Sequence, residues 1–138
     1  MAVDLAMSVL VVDDSRTMGQ IVRNLLMLIG FRNIDNVFDG TTALTKLQEK
    51  SYGLVISDWN MQPMSGQTLL EAIRAAPLLQ SIPFIMVTAE SNQANVTAAK
   101  AAGADQYIVK PFTGETLKNK IAAVFAPETA KIANRNAP

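Results

Sequence analysis

Four residues of this chain stand where carboxylate chemistry could be done. Asp13 and Asp14 directly follow the apolar run Ser8–Val12, Asp58 follows Gly53–Ser57, and Lys110 follows Gln106–Val109. Thr88 follows a fourth such run, Ile82–Val87. Three carboxylates brought together repel one another and raise each other's pKa until a cation joins them. The chain has no His and no Cys, so its ligands are oxygens and the site suits a hard ion. Magnesium fits that description, because it takes few carboxylates, keeps several waters and shares phosphate oxygens. A carboxylate in such a site can attack phosphorus and form an acyl phosphate. Lys110 would then balance charge on the transferred group, and Thr88 would offer it a hydroxyl.

Whether these residues meet depends on the elements that carry them. The four apolar runs do not alternate with polar residues, which suits strands of a parallel sheet covered on both faces. Asn33–Val37 is a weaker fifth strand, suited to an edge. Helical spacing fills the gaps. Met18, Ile21, Val22, Leu25 and Ile29 form one stripe, closed by Gly30. Ala43, Leu44 and Leu47 mark a second helix, and Leu69, Ala72, Ile73 and Ala76 a third, ended by Pro77. A fourth, thin and Ala-rich, would run from a Ser91 cap to Gly103. A fifth starts at a Thr113 cap and carries Leu117, Ile121, Val124 and Phe125. Five β-α repeats make a doubly wound α/β sheet. In the flavodoxin-like order 2-1-3-4-5, the first and third strands are neighbours and ligands bind beyond their carboxyl ends. That places Asp13, Asp14 and Asp58 together.

Each residue also has a plainer role open to it. Asp14 could cap a helix, Asp58 could sit in an Asp-x-Asn turn, Thr88 could cap or back-bond, and Lys110 could be a solvated surface lysine. What those roles do not explain is why all five chemically useful residues fall at strand ends.

Composition narrows the field. Nearly half of the 138 residues are apolar, enough to furnish one core. Twelve basic and twelve acidic residues leave no net charge, which argues against nucleic-acid binding. The lack of Cys rules out a disulfide framework and fits a reducing cytoplasm. The lack of His removes any phosphohistidine chemistry from this chain itself. No apolar run approaches the roughly 18 residues needed to cross a bilayer, and residues 1–6 lack a signal peptide's basic start. The expected organisation is a loose extension over 1–6, one domain over 7–126, and a polar tail over 127–138.

The motifs Val9–Asp14 (VLVVDD), Ser57–Gly66 (SDWNMQPMSG), Val87–Glu90 (VTAE) and Lys110–Phe112 (KPF) resemble the receiver domains of two-component response regulators. The likeness covers about residues 7 to 126 and is strongest to the stand-alone CheY type used in chemotaxis. It implies that Asp58 is the phosphoacceptor. Asp14 and Asp58 would bind Mg2+, Asp13 would assist through water or positioning, and Asn60 would add its backbone carbonyl. Lys110 would pair with the phosphoryl group, and its peptide bond to Pro111 would be cis. Thr88 would move toward the phosphoryl oxygen on activation, with Tyr107 swinging inward behind it. Ala89 fits the small residue beside the phosphoryl path, and Asn60 and Glu90 hold positions that tune phosphate loss. Phe112 reads as core, and Trp59 as a half-exposed reporter. One departure stands out: the family commonly has proline four residues after the acceptor, where this chain has Gln62 and then Pro63. A less usual, more mobile loop path is expected there.

The expected function is a CheY-like single-domain regulator, not an enzyme beyond self-catalysed phosphoryl acceptance and autodephosphorylation. It would take its phosphoryl group from a histidine kinase and stay monomeric. It would present the face of helix 4, strand 5 and helix 5 to an output protein, with a flagellar motor switch as candidate. The alternative within this class is a phosphate sink or phosphorelay intermediate. An Asp-nucleophile phosphatase fits less well, because Asp13-Asp14-Ser15-Arg16-Thr17 lacks the third-position acid of Asp-x-Asp-x-Thr. A flavin or nucleotide binder lacks its phosphate cradle, since Gly19 already lies inside a helix.

Overall fold

The computed structural model describes residues 3–89 and 93–125, and the side chains of all of these except 93–95. The Ser91 cap, Glu90 and the tail over 127–138 lie outside the described residues. Ten elements alternate along the chain: β1 (Ser8–Val12), α1 (Arg16–Ile29), β2 (Asn33–Val37), α2 (Gly40–Glu49), β3 (Leu54–Asp58), α3 (Gly66–Ala75), β4 (Phe84–Thr88), α4 (Gln93–Ala102), β5 (Gln106–Val109) and α5 (Gly114–Val124). The five strands are parallel in the order β2-β1-β3-β4-β5. β2 is an edge, as its mixed composition predicts.

The continuous apolar runs are explained by two cores. Leu10, Val12, Val55, Phe84, Met86 and Tyr107 face α2, α3 and α4, where Ala43, Leu47, Leu69, Ile73 and Ala99 wait. Val9, Val11, Leu54, Ile56, Ile85, Val87 and Ile108 face α1 and α5, against Val22, Leu26, Leu117 and Ile121. Successive strand residues point to opposite faces, so both phases of the alternation must be apolar.

Side chains cap four of the helices. Ser15, Asp39, Ser65 and Thr113 each accept from the backbone N–H three residues on. Asp14 is thereby relieved of the capping role. Gly30 ends α1 at φ 126°, a conformation that a side chain would strain.

Some boundaries differ from the sequence reading. β3 begins at Leu54 and includes Asp58, because the ladder continues through the Trp59 N–H to the Val87 carbonyl at 2.8 Å. β4 begins at Phe84, since Pro83 has no N–H to give, although its carbonyl accepts from Val55 at 2.9 Å. On α1, Ile21 is 45% exposed and Leu26 takes the inward place. The stripe is centred on Val22 and Leu26, four residues apart, and Ile21 falls off its edge. Residues 4–6, expected to be loose, are tied down: the Asn33 amide donates to the Ala6 carbonyl at 2.6 Å, and Asp4 accepts from the Ala6 N–H at 2.9 Å.

Candidate functional site

Register brings the acids together. Val12 pairs with Ser57, so the next step along both strands sets Asp13 beside Asp58. Asp13 is 4% exposed and Asp58 7%, while Asp14 stands in solvent at the rim. One carboxylate oxygen from each of Asp13, Asp14 and Asp58 lies within 4.8 Å of the others. Lys110 reaches in from the end of β5, with its Nζ 3.2 Å from Asp58 Oδ1 and 3.4 Å from Asp13 Oδ2. Its bond to Pro111 is cis. The other Asp13 oxygen accepts from the Ser15 N–H at 2.9 Å, which fixes the carboxylate against the start of α1.

One lysine does not balance three acids. Burial raises the Asp58 carboxyl above the usual range, the Asp13 charge raises it further, and Lys110 pulls it back only in part. A hard divalent cation among these oxygens would relieve both the desolvation and the repulsion. The donor set therefore fits magnesium, with Asp14 accessible as the exposed third arm.

Strand alternation divides the remaining residues. Asp13, Asp58 and Lys110 continue the α1/α5 phase of their strands, whereas Thr88 and Tyr107 continue the phase facing α2, α3 and α4. Thr88 ends β4 and is 1% exposed. Tyr107 is buried, and its ring meets Trp59 edge to face, with centroids 6.4 Å apart at 78°. Asn60 and Ala89 are exposed at the same rim, and Phe112 packs against the α1/α5 core.

The loop bearing the sequence departure follows Trp59. Its Gln62–Pro63 peptide is cis, and the loop is anchored by buried Met61 and by Met64 against the core. The sequence reading treated Trp59 only as a reporter and did not find its contact with Tyr107. Nor did it find the Arg16 guanidinium lying 4.2 Å over the Phe38 ring. Spacing holds no signal for either, since each joins residues more than twenty positions apart.

Comparison with known proteins places the chain in a family. The family model of the response regulator receiver domain matches residues 9–122. The chain is 44% identical over 119 residues to the chemotaxis protein CheY of Pseudomonas aeruginosa, covering 86% of this chain and 96% of that one. It is 45% identical over 119 residues to chemotaxis protein CheY-3 of Vibrio cholerae, covering 86% and 92%. The solved structure of the chemotaxis response regulator CheY4 of Vibrio cholerae superposes with a TM-score of 0.81 at 34% identity, covering 87% of this chain and 99% of that one.

Proposed function

The chain belongs to the response regulator receiver domain family, and from that footing we propose that it is a chemotaxis-type phosphorylation switch with Asp58 as its phosphoacceptor. The observation that carries this reading is a buried, charge-strained Asp58 at the end of β3, flanked by two further acids and a single lysine. The donor would be a phosphohistidine on a separate kinase, since this chain has no His. An Asp58 oxygen attacks phosphorus and the P–N bond breaks. The histidine nitrogen leaves with the electron pair and takes up a proton.

Asp14 and Asp58, the Asn60 carbonyl, and Asp13 directly or through water would hold Mg2+. When bound, that ion supplies positive charge to the phosphoryl oxygens. Lys110 neutralises a further oxygen, and Thr88 supplies a hydroxyl from the opposite face of the sheet. Asn60 and Glu90 tune how fast the group is lost. Beyond this acceptance and loss the protein performs no catalysis.

Movement of Thr88 toward the phosphoryl group would stabilise the inward Tyr107, shifting a pre-existing equilibrium. The face made by α4, β5 and α5 then binds an output protein. A flagellar motor switch is the candidate, in keeping with the chemotaxis names of the relatives. No helix among the described residues is long and apolar enough to cross a membrane. A cytoplasmic monomer that does not bind nucleic acid completes the reading.

Trp59 fluorescence tests it. Magnesium with a small phosphodonor, or with beryllofluoride, changes the emission, and Asp58→Asn abolishes the phosphodonor response. An Asp58→Asn protein labelled at full rate defeats the assignment. Capture of a partner only in the presence of beryllofluoride separates an output switch from a phosphate sink or relay.

A further inference from the structure

The peptide joining Asp58 to Trp59 is held on several sides. The Ser57 hydroxyl donates to the Asp58 carbonyl at 3.0 Å, although Ser57 is itself wholly buried. The Trp59 N–H donates to the Val87 carbonyl, and the Trp59 carbonyl accepts from the Gly66 N–H, both at 2.8 Å. Gly66 is the first residue of α3, so the helix starts hard against the strand end. A Cβ on Gly66 would overlap the Asp58 carbonyl oxygen and stand 2.9 Å from Trp59 Cα. Both are backbone atoms, and neither can turn aside as a side chain can. Gly40 differs in this respect: a Cβ there would meet Met64 Sδ at 2.6 Å, the end of a flexible thioether.

We propose that Gly66 and Ser57 are positioning residues for the phosphoacceptor. The bare Cα of Gly66 lets α3 seat on the Asp58 carbonyl, and the Ser57 hydroxyl tethers that carbonyl from the strand side. This seat sets where the Asp58 carboxylate lies and where the Trp59 ring meets Tyr107. The inference rests on the reading of Asp58 as the acceptor. Two bonds separate the carboxyl group from the Asp58 Cα, so a shift of the backbone carries it along. A misplacement of about 1 Å costs on the order of a hundredfold in an oriented reaction. Magnesium, with its narrow coordination geometry, is also sensitive to such a shift.

The test compares Gly66→Ala, Ser57→Ala and Gly40→Ala in the full chain. Folding is followed by circular dichroism, magnesium affinity by Trp59 fluorescence without phosphodonor, and Tyr107 ring-proton shifts by NMR without metal. Labelling by a small phosphodonor is measured at saturating magnesium. Gly66→Ala is expected to fold, to bind magnesium at least about tenfold more weakly and to label about a hundredfold more slowly, with displaced Tyr107 shifts. Ser57→Ala should weaken magnesium binding about threefold, a loss of roughly the size one neutral hydrogen bond supports. Gly40→Ala should lower stability alone.

A folded Gly66→Ala protein with magnesium affinity and labelling within about twofold of the parent overturns the proposal. If Gly66→Ala does not fold, Ser57→Ala decides: unchanged magnesium affinity overturns the proposal and a weakened one supports it. Asp58→Asn is labelled in parallel. Its continued labelling would defeat the acceptor reading, while the magnesium titrations still judge the seat.

Discussion

The two ends of the sheet handle charge in opposite ways. At the amino end, Arg74 donates twice to the Gly103 carbonyl, at 3.0 and 2.8 Å, and to the Gln80 and Ile82 carbonyls at 3.0 and 2.6 Å. It also pairs with Asp105 at 3.3 Å, and Asp105 accepts from the Phe84 N–H at 2.8 Å. On the edge strand β2, Asp35 accepts from the Tyr52 hydroxyl at 2.6 Å and from Lys50 at 3.0 Å. The Tyr52 hydrogen bond, helped by Lys50, holds the Asp35 carboxyl below its usual range. At the carboxyl end the Asp58 carboxyl is pushed the other way, by burial and by Asp13. Same residue type, same sheet, opposite shifts: matched charges fasten the amino end and the edge strand β2, and unmatched charges leave room for a ligand at the carboxyl end.

Asp58→Asn gives the largest expected effect. Phosphoryl labelling disappears, yet the metal-free protein becomes more stable by a few degrees in thermal midpoint. The raised pKa means that folded Asp58 keeps a proton at pH values where the unfolded chain has lost it. Its ionisation therefore destabilises the fold at neutral pH, and the penalty is relieved as pH falls through the folded pKa. Thermal scans against pH, with the parent and Asp58→Asn side by side, check the sign. Magnesium should stabilise the parent more than the variant.

Next comes Lys110→Ala, expected to slow labelling by about ten- to a hundredfold. It should also raise the Asp58 carboxyl further in an NMR titration, since Lys110 is what holds it down. A labelling rate equal to that of the parent would count against any role for this lysine.

Arg74→Ala should act on stability alone. Loss of the charged donor from three backbone carbonyls costs about 2–3 kcal/mol in urea unfolding, with magnesium affinity unchanged. A matching loss of magnesium binding would show that the two ends are coupled.

The smallest effect falls to Tyr52→Phe, about 1 kcal/mol at neutral pH. Asp35 is depressed by this contact, so its contribution is present above the unfolded carboxyl pKa of about 4 and fades as pH falls through the folded value. Parent and variant should converge in acid, and a constant gap down to pH 2 would contradict the assignment.

Much of the fold was readable in the chain because its signals are local. Ser8–Val12, Asn33–Val37 and Gln106–Val109 carry strand character in their own composition, and Thr113 caps α5 as a local hydrogen bond requires. Asp13, Asp14, Asp58, Thr88 and Lys110 were legible as a set because an α/β topology sends the strand ends to one edge. The ends of β3 and β4 were less legible, because whether Asp58 and Thr88 belong to the strand depends on ladder bonds to neighbours that spacing does not specify.

What the sequence determined by itself, then, is the list of chemical parts: three acids, a lysine, a threonine, a tyrosine, and no His or Cys to compete for another metal. Only the tertiary structure decided how they divide. Register set Asp13 against Asp58, and alternation put the acids and Lys110 on one phase of the sheet with Thr88 and Tyr107 on the other. The start of α3 against the Asp58 carbonyl made Gly66 matter. Those are relations between distant segments, fixed by packing and hydrogen bonds that form only when the chain is folded.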